Sequence, residues 1–128
     1  MPIFDAELYK GRAEKKHLTL VLSDGEGIIN SIKEGMKEHG IKEAFVEQAN
    51  GLIKSGQITF NQGNRLKSKE LVDEKIFRAS GKFSLSFDEL FGSMSITIMN
   101  SHPLSGTLAK GTASEGFQII LSFLEIKP

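Results

Sequence analysis

The feature that most constrains the fold is a strand-like alternation of apolar and polar residues through the last third of the chain. Residues 81–87, 92–99 and 116–125 all alternate with a period of two, which is the period of side chains on a β-strand. A turn is expected between the last two segments, at residues 105–108. The pattern predicts that the chain closes with an antiparallel sheet.

One segment has the pattern of an amphipathic helix. Its apolar residues between 28 and 36 recur at helical spacing, and Ser23 or Asp24 is expected to cap its start. Strand patterns precede it at residues 18–22 and follow it at residues 43–49. Together these segments predict a βαβ unit.

One helix cannot cover both faces of a sheet of six or more strands. Residues 52–60 indicate a further strand with a bulge or close approach at Gly56. The charged residues 65–74 are consistent with either a short helix or a solvent-exposed loop excursion. Residues 117–126 carry apolar side chains on both faces, so a curled sheet, a second subunit, or both must cover them. We expect a single α+β domain over residues 1–128, with a mixed, largely antiparallel curled sheet, one main helix in the βαβ unit, and a second subunit packed on the sheet.

Composition excludes several classes of function. The 128 residues include no cysteine, so disulfides, thiolate metal sites and cysteine nucleophiles are excluded. Lysine and arginine together number 16, as do aspartate and glutamate, so no global basic field attracts nucleic acid. The first residues lack the pattern of a signal peptide and no segment is long enough to span a membrane, which predicts a cytoplasmic protein without a membrane partner.

Two basic clusters are candidate nucleic-acid contacts. The first contains Lys10, Arg12, Lys15 and Lys16, and the second contains Arg65, Lys67 and Lys69. Acidic residues follow or interrupt both clusters, so a solvated surface is the alternative interpretation. No aromatic residues alternate with these cations, and any contact with DNA is expected to be weak and directed to the phosphate backbone.

A series of short motifs gives the chain a family resemblance over about residues 15–126. The motifs are His17 at a strand entrance, Gly25-Glu-Gly-Ile-Ile29, Gly40-Ile41, Ala49-Asn-Gly-Leu-Ile53 and Gly81-Lys-Phe-Ser-Leu-Ser86. Their order resembles the plants and prokaryotes conserved (PPC) domain, of the type that stands alone in prokaryotes. The resemblance implies a mixed α/β fold, a homotrimer, and a structural class shared with acetolactate decarboxylase. The AT-hook that accompanies this domain in plants needs an Arg-Gly-Arg core, which this sequence lacks.

The resemblance also implies a degenerate metal site. Many prokaryotic members carry a His-x-His pair and a third histidine, and the matching positions here are Ser95, Thr97 and Thr107. Hydroxyls are poor zinc ligands, and His102 nearby cannot replace three imidazoles. We therefore expect no metal and no cofactor, with Ser95, Thr97, His102 and Thr107 as the candidate lining of a polar pocket.

No group of residues in the sequence forms a recognisable catalytic constellation. Ser101 and His102 are adjacent in the chain, so their side chains diverge and do not form a nucleophile and base pair. The expected function is therefore a non-enzymatic homotrimeric regulatory or binding module of the PPC type, with DNA as the candidate partner. The alternative is a metal-free small-molecule-binding or enzymatic protein that uses the polar pocket at the degenerate metal site.

Overall fold

The computed structural model describes residues 13–100 and 102–126. These residues form seven strands and one helix. In chain order they are β1 (Ala13–Leu22), α1 (Ile28–Glu38), β2 (Glu43–Asn50), β3 (Leu52–Gln62), β4 (Arg65–Ser86), β5 (Glu89–Asn100), β6 (His102–Ala113) and β7 (Phe117–Ile126).

The strands pair antiparallel in one sheet with the order β1-β7-β2-β4-β3-β6-β5. Since β1 and β2 are both antiparallel to β7, they run parallel to each other with α1 as their connection. This arrangement confirms the predicted α+β class, with a largely antiparallel sheet and one helix between β1 and β2.

The sheet curls because β4 changes partners along its 22 residues. Its first half pairs with β3, and its second half lies between β2 and β5. Two irregularities separate the halves: Asp73 has a positive φ of 51°, and the register with β5 shifts between Ile76 and Arg78. Because β5 also pairs with β6, strands β4, β3, β6 and β5 close into a ring, which confirms the predicted curl.

The core lies between α1 and one face of the sheet. Ile28, Ile32 and Met36 of α1 are fully buried, as the helical spacing of these residues predicts. The sheet contributes Ile53, Ile58, Phe83, Met94, Ile96, Ile98, Phe117, Ile119 and Leu121 to the same cluster.

Gly56 is a close approach between strands, as its position inside an apolar strand pattern predicts. A Cβ at this residue would lie 2.5 Å from the carbonyl oxygen of Lys110 and 2.9 Å from Cα of Gly111. The register between β3 and β6 shifts on either side of it, between Ile53 and Ser55 and between Gln57 and Ile58. Only glycine lets β3 and β6 come this close.

The predicted helix cap is wrong. Gly27 is the N-cap residue of α1, and no side chain caps the helix. The Asp24 carboxylate instead accepts a 2.7 Å contact from Nζ of Lys54, and the backbone N–H of Ser23 donates to Oε1 of Glu26 at 2.8 Å. The Asp24 side chain is therefore engaged by Lys54 on β3, and the backbone of Ser23 is held in the loop before the helix.

Two further predictions of local structure are wrong. Residues 105–108 lie in the middle of β6 rather than in a turn, because Gly106 abuts the carbonyl oxygen of Thr59 and lets β3 pair alongside. Residues 65–74 form neither a helix nor an excursion. They are the first half of β4, joined to β3 by a tight turn at Gly63, whose φ is 64°.

The burial of β7 differs on its two faces. Phe117, Ile119 and Leu121 are buried on the face that α1 covers. On the opposite face Ser122 is buried, but Leu124 is 70% exposed. Within one chain, the apolar residues of β7 are therefore fully covered on one face only, and cover by a second subunit stays a prediction.

Candidate functional site

Three of the hydroxyl residues predicted to line a polar pocket, Ser95, Thr97 and Thr107, lie together on β5 and β6. Ser95 lies directly opposite Thr107, and Thr97 lies opposite Ser105 one step along the same face. Oγ1 of Thr97 and Oγ of Ser105 are 2.8 Å apart, within hydrogen-bond distance. The face is the one turned away from the core, since the alternate residues of β5 are buried.

His102 is placed apart from these hydroxyls. It begins β6 opposite Asn100, and its register puts it on the same face as Ile98 and Leu104. Strand alternation therefore directs it away from the face of Ser95 and Thr97. The structure brings together three of the four predicted pocket residues and leaves His102 exposed at the end of the hairpin.

The hydroxyl cluster offers neutral hydrogen-bond donors and acceptors. Hydroxyls supply neither the charge nor the basicity that a divalent transition metal needs from its ligands. Within residues 13–100 and 102–126, no group of three or more histidine, aspartate or glutamate side chains is arranged to hold a metal ion. What the cluster can do chemically is bind a polar group or ordered water.

The second basic cluster forms a stripe along the β3–β4 hairpin. Arg65, Lys67 and Lys69 are alternate residues of β4, so their side chains share one face. Glu70, opposite Gln57, occupies the other face. Glu74 lies beyond the irregularity at Asp73, opposite the buried Ile53. In the part of the chain that the structure describes, the three cations form no ion pair.

Both described lysines of the first basic cluster lie beside acidic side chains. Nζ of Lys15 lies 3.4 Å from Oε1 of Glu47, and Nζ of Lys16 lies 3.1 Å from Oε2 of Glu14. The hydrogen bond and charge of Glu14 raise the pKa of Lys16. The predicted residues Lys10 and Arg12 lie outside the described residues.

A cavity of about 1000 Å³ opens at the end of the sheet where β2 and β1 begin and β7 ends. Its apolar lining consists of Ile41, Phe45, Phe123 and Leu124. Its polar lining consists of Lys15, His39, Lys42, Glu43, Glu47, Ser122 and Glu125.

Ser122 and Glu47 form the polar centre of this cavity. Ser122 is only 2% exposed, and its hydroxyl donates a 2.5 Å hydrogen bond to Oε1 of Glu47. A shift of register between Val46 and Gln48 leaves Glu47 as the extra residue of a β-bulge, which directs its side chain onto this face. The Ser122 hydrogen bond, followed by the hydrogen bond and charge of Lys15, lowers the pKa of Glu47.

Sequence reasoning missed this cavity. Glu47 and Ser122 are 75 residues apart, and a bulge has no signature in a segment that otherwise reads as a regular strand. The one available signal was Ser122 itself, a polar residue among the apolar residues of β7. By itself that signal indicates only an exposed strand face.

Large apolar side chains are exposed on the sheet face that α1 does not cover. Register and alternation place five of them on this face: Val21, Phe45, Phe91, Met99 and Leu124. Phe45, Phe91 and Leu124 lie toward the end of the sheet that holds the cavity. Exposed apolar groups of this size are typical of an interaction surface. In the described residues, no helix has the length and apolar character to cross a membrane.

The geometry defines a class of protein: an α+β domain with one helix on a curled antiparallel sheet, carrying a hydroxyl cluster, a basic hairpin and an open apolar face. Residues 9–125 match the Plants and Prokaryotes Conserved (PCC) domain, and the chain belongs to this family, abbreviated PPC above. The resemblance stated from the sequence is confirmed.

Solved structures share this fold. A metal-containing protein from Archaeoglobus fulgidus is 22% identical with a TM-score of 0.71, and the match covers 88% of this chain and 81% of that one. A PPC protein from Pyrococcus horikoshii is 21% identical with a TM-score of 0.69, covering 92% and 84%. A proposed DNA-binding protein from Bacteroides thetaiotaomicron is 16% identical with a TM-score of 0.67, covering 86% and 82%. At these identities the likeness establishes the fold.

A comparison with curated protein sequences gives no significant match.

Proposed function

We propose that the chain is a non-enzymatic, homotrimeric binding module that contacts the phosphate backbone of DNA. The observation that carries the proposal is the basic stripe of the β3–β4 hairpin, formed by Arg65, Lys67 and Lys69. A structural relative from Bacteroides thetaiotaomicron is itself a proposed DNA-binding protein, which agrees with this partner.

The spacing of the stripe suits a nucleic-acid backbone. Alternate residues of a strand are about 6.8 Å apart, a length comparable to the separation of successive phosphates along one strand of DNA. A two-stranded β-ribbon also has the width of an element that enters the major groove. Since the cations have no acidic partners among the described residues, phosphates can engage them without first breaking an ion pair.

The open apolar face supports self-assembly. Phe45 and Leu124 are 50% and 70% exposed. Association would remove their apolar surface from water, which is favourable. A ring of three copies would also present three basic hairpins to one DNA molecule, and linked weak contacts increase the overall affinity.

Two measurements test the proposal. Light scattering at micromolar concentration should give the mass of a trimer, and a monomer would contradict the assembly. Fluorescence anisotropy with two duplexes of unrelated sequence should give weak, equal affinities that fall steeply with salt, because phosphate contacts release counterions. An affinity that does not depend on salt would contradict backbone binding.

The hydroxyl cluster favours a second candidate function. Ser95, Thr97 and Thr107 lie together on one face, and Thr97 already takes part in a hydrogen bond between β5 and β6. We propose as the alternative that this surface binds a small polar metabolite without a metal. Chemical-shift perturbation confined to these residues, in a screen of polar metabolites, is the test; an unperturbed cluster across the screen would count against it.

A further inference from the structure

The turn between β4 and β5 carries an apolar side chain that the fold of one chain does not explain. Phe87 is 99% exposed, which makes it the most exposed large apolar residue among those described. Phe87 and Asp88 both have positive φ, 51° and 63°, as in the two-residue turns that favour asparagine and glycine. Phenylalanine is strained there, and its ring contributes nothing to the core.

The turn lies beside the cavity that holds Ser122 and Glu47. The backbone N–H of Leu85 donates to the carbonyl of Lys42 at 2.8 Å, and Ser84 lies opposite Glu43. Lys42 and Glu43 both line the cavity, but Phe87 does not. An exposed apolar side chain and an open cavity with apolar residues in its wall are therefore adjacent, separate patches at one end of the sheet.

We infer that Phe87 of one copy enters the cavity of a second copy of this chain, where it packs against Phe45 and Leu124. The inference rests on the self-association proposed above and names the contact that produces it. Two different patches in contact form a head-to-tail interface, which closes into a ring when each copy repeats it around an axis.

The charges around the two patches are complementary. Glu89, which follows the turn, forms no ion pair among the described residues, whereas Asp88 lies 3.9 Å from Nζ of Lys37 on α1. Lys42 lies at the cavity. Lys42 has no ion-pair partner within residues 13–100 and 102–126. Of the cavity's acids, Glu43 is held by Lys82 at 3.1 Å and Glu47 by Lys15, which leaves Glu125 as the acid that an incoming acidic turn would have to avoid.

The test uses Phe87→Asn, because asparagine suits the positive φ of this turn and leaves the fold of the chain intact. Sedimentation over a concentration series measures the protein concentration at which half of the chains are assembled. This midpoint should rise at least about tenfold, because truncating an aromatic anchor weakens an interface by that much. Thermal stability of the dissociated chain should be unchanged or higher. Leu66→Asn is the matched control, since Leu66 is 73% exposed on the other hairpin and its loss should leave the midpoint unchanged.

A mixing experiment separates this contact from other modes of assembly. Leu124→Glu places a charge in the cavity at an exposed position and should also dissociate the protein. Mixed with Phe87→Asn, at a concentration where each is monomeric, it should form one-to-one pairs, because one intact anchor meets one intact cavity and the ring cannot close. A wild-type monomer would contradict the self-association and the anchor together. Trimers of Phe87→Asn with an unchanged midpoint would overturn the anchor alone, and so would a mixture that stays monomeric.

Discussion

The buried hydroxyl of Ser122 donates a 2.5 Å hydrogen bond to the carboxylate of Glu47, and this bond joins β7 to β2 at the bulge in β2. The same carboxylate oxygen lies 3.4 Å from Nζ of Lys15 on β1. Three neighbouring strands are therefore connected through one side chain, on the face opposite α1. A charged carboxylate that accepts these contacts stabilises the wall of the cavity.

The first prediction concerns the titration of Glu47. The Ser122 hydrogen bond and Lys15 favour the charged carboxylate, so the pKa of Glu47 should lie below the ordinary glutamate value of about 4.3. Ser122→Ala removes the larger of these effects and should raise the pKa toward that value. Carbon-detected NMR of the side-chain carboxyl during an acid titration measures both.

The sign of the accompanying stability change follows from linkage. A group with a lowered pKa in the folded state adds stability above its unfolded pKa and loses it as pH falls through the folded pKa. The destabilisation by Ser122→Ala should therefore be larger at neutral pH than in acid below the folded pKa of Glu47. Ser93→Ala, an exposed hydroxyl on β5, is the comparison. A difference that does not vary with pH would show that the loss is one of packing alone.

The second prediction concerns Gly56. Alanine at this position would place its Cβ against the backbone of Lys110 and Gly111, which cannot move aside as a flexible side chain could. Gly56→Ala should reduce the free energy of unfolding by about 1–3 kcal/mol, the usual cost of overpacking. Urea denaturation at fixed protein concentration measures it. Gly27→Ala should change little, because Gly27 has φ of −70° and the nearest atom to its Cβ would be 3.6 Å away.

Much of the fold could be predicted because apolar periodicity reports burial directly. The helical spacing of Ile28, Ile32 and Met36 and the alternation along β5 and β7 correspond to the buried face of each element. The first half of β4 could not be predicted, since its cations mask the strand pattern and only its pairing with β3 makes it a strand. Residues 105–108 were mispredicted because their glycine suggested a turn. Gly106 instead allows a close approach of β6 to the backbone of Thr59 on β3.

Of three candidate sites, one could be predicted from the sequence and two could not. Ser95, Thr97 and Thr107 could be located because a family resemblance assigns their positions, and strand pairing then brings them together. The Ser122–Glu47 pair depends on a register shift between strands that are distant in sequence, which no local pattern encodes. The exposure of Phe87 could not be foreseen either, because phenylalanine in an alternating segment predicts a buried strand residue.

The third prediction concerns metal. Protein extracted without chelator should contain no stoichiometric zinc or other transition metal, because hydroxyls at Ser95, Thr97 and Thr107 are poor ligands. Replacing all three by histidine should create a site that binds one zinc ion per chain, since the three positions are neighbours on one face. Elemental analysis tests both proteins. About one metal per wild-type chain, lost in His102→Ala, would contradict the metal-free interpretation and favour an enzymatic one.

The salt dependence of DNA binding by Lys67→Glu, Lys69→Glu tests the backbone-contact claim most directly. Binding by the wild-type protein should weaken linearly on a logarithmic salt scale. The double variant should lower the magnitude of that slope by about one unit for each lysine that contacts a phosphate, equally for unrelated sequences. Lys33→Glu, Lys75→Glu changes the net charge by the same amount away from the stripe and should keep most of the slope. A slope that Lys67→Glu, Lys69→Glu leaves unchanged, or tight salt-insensitive binding to a single sequence, would contradict the account.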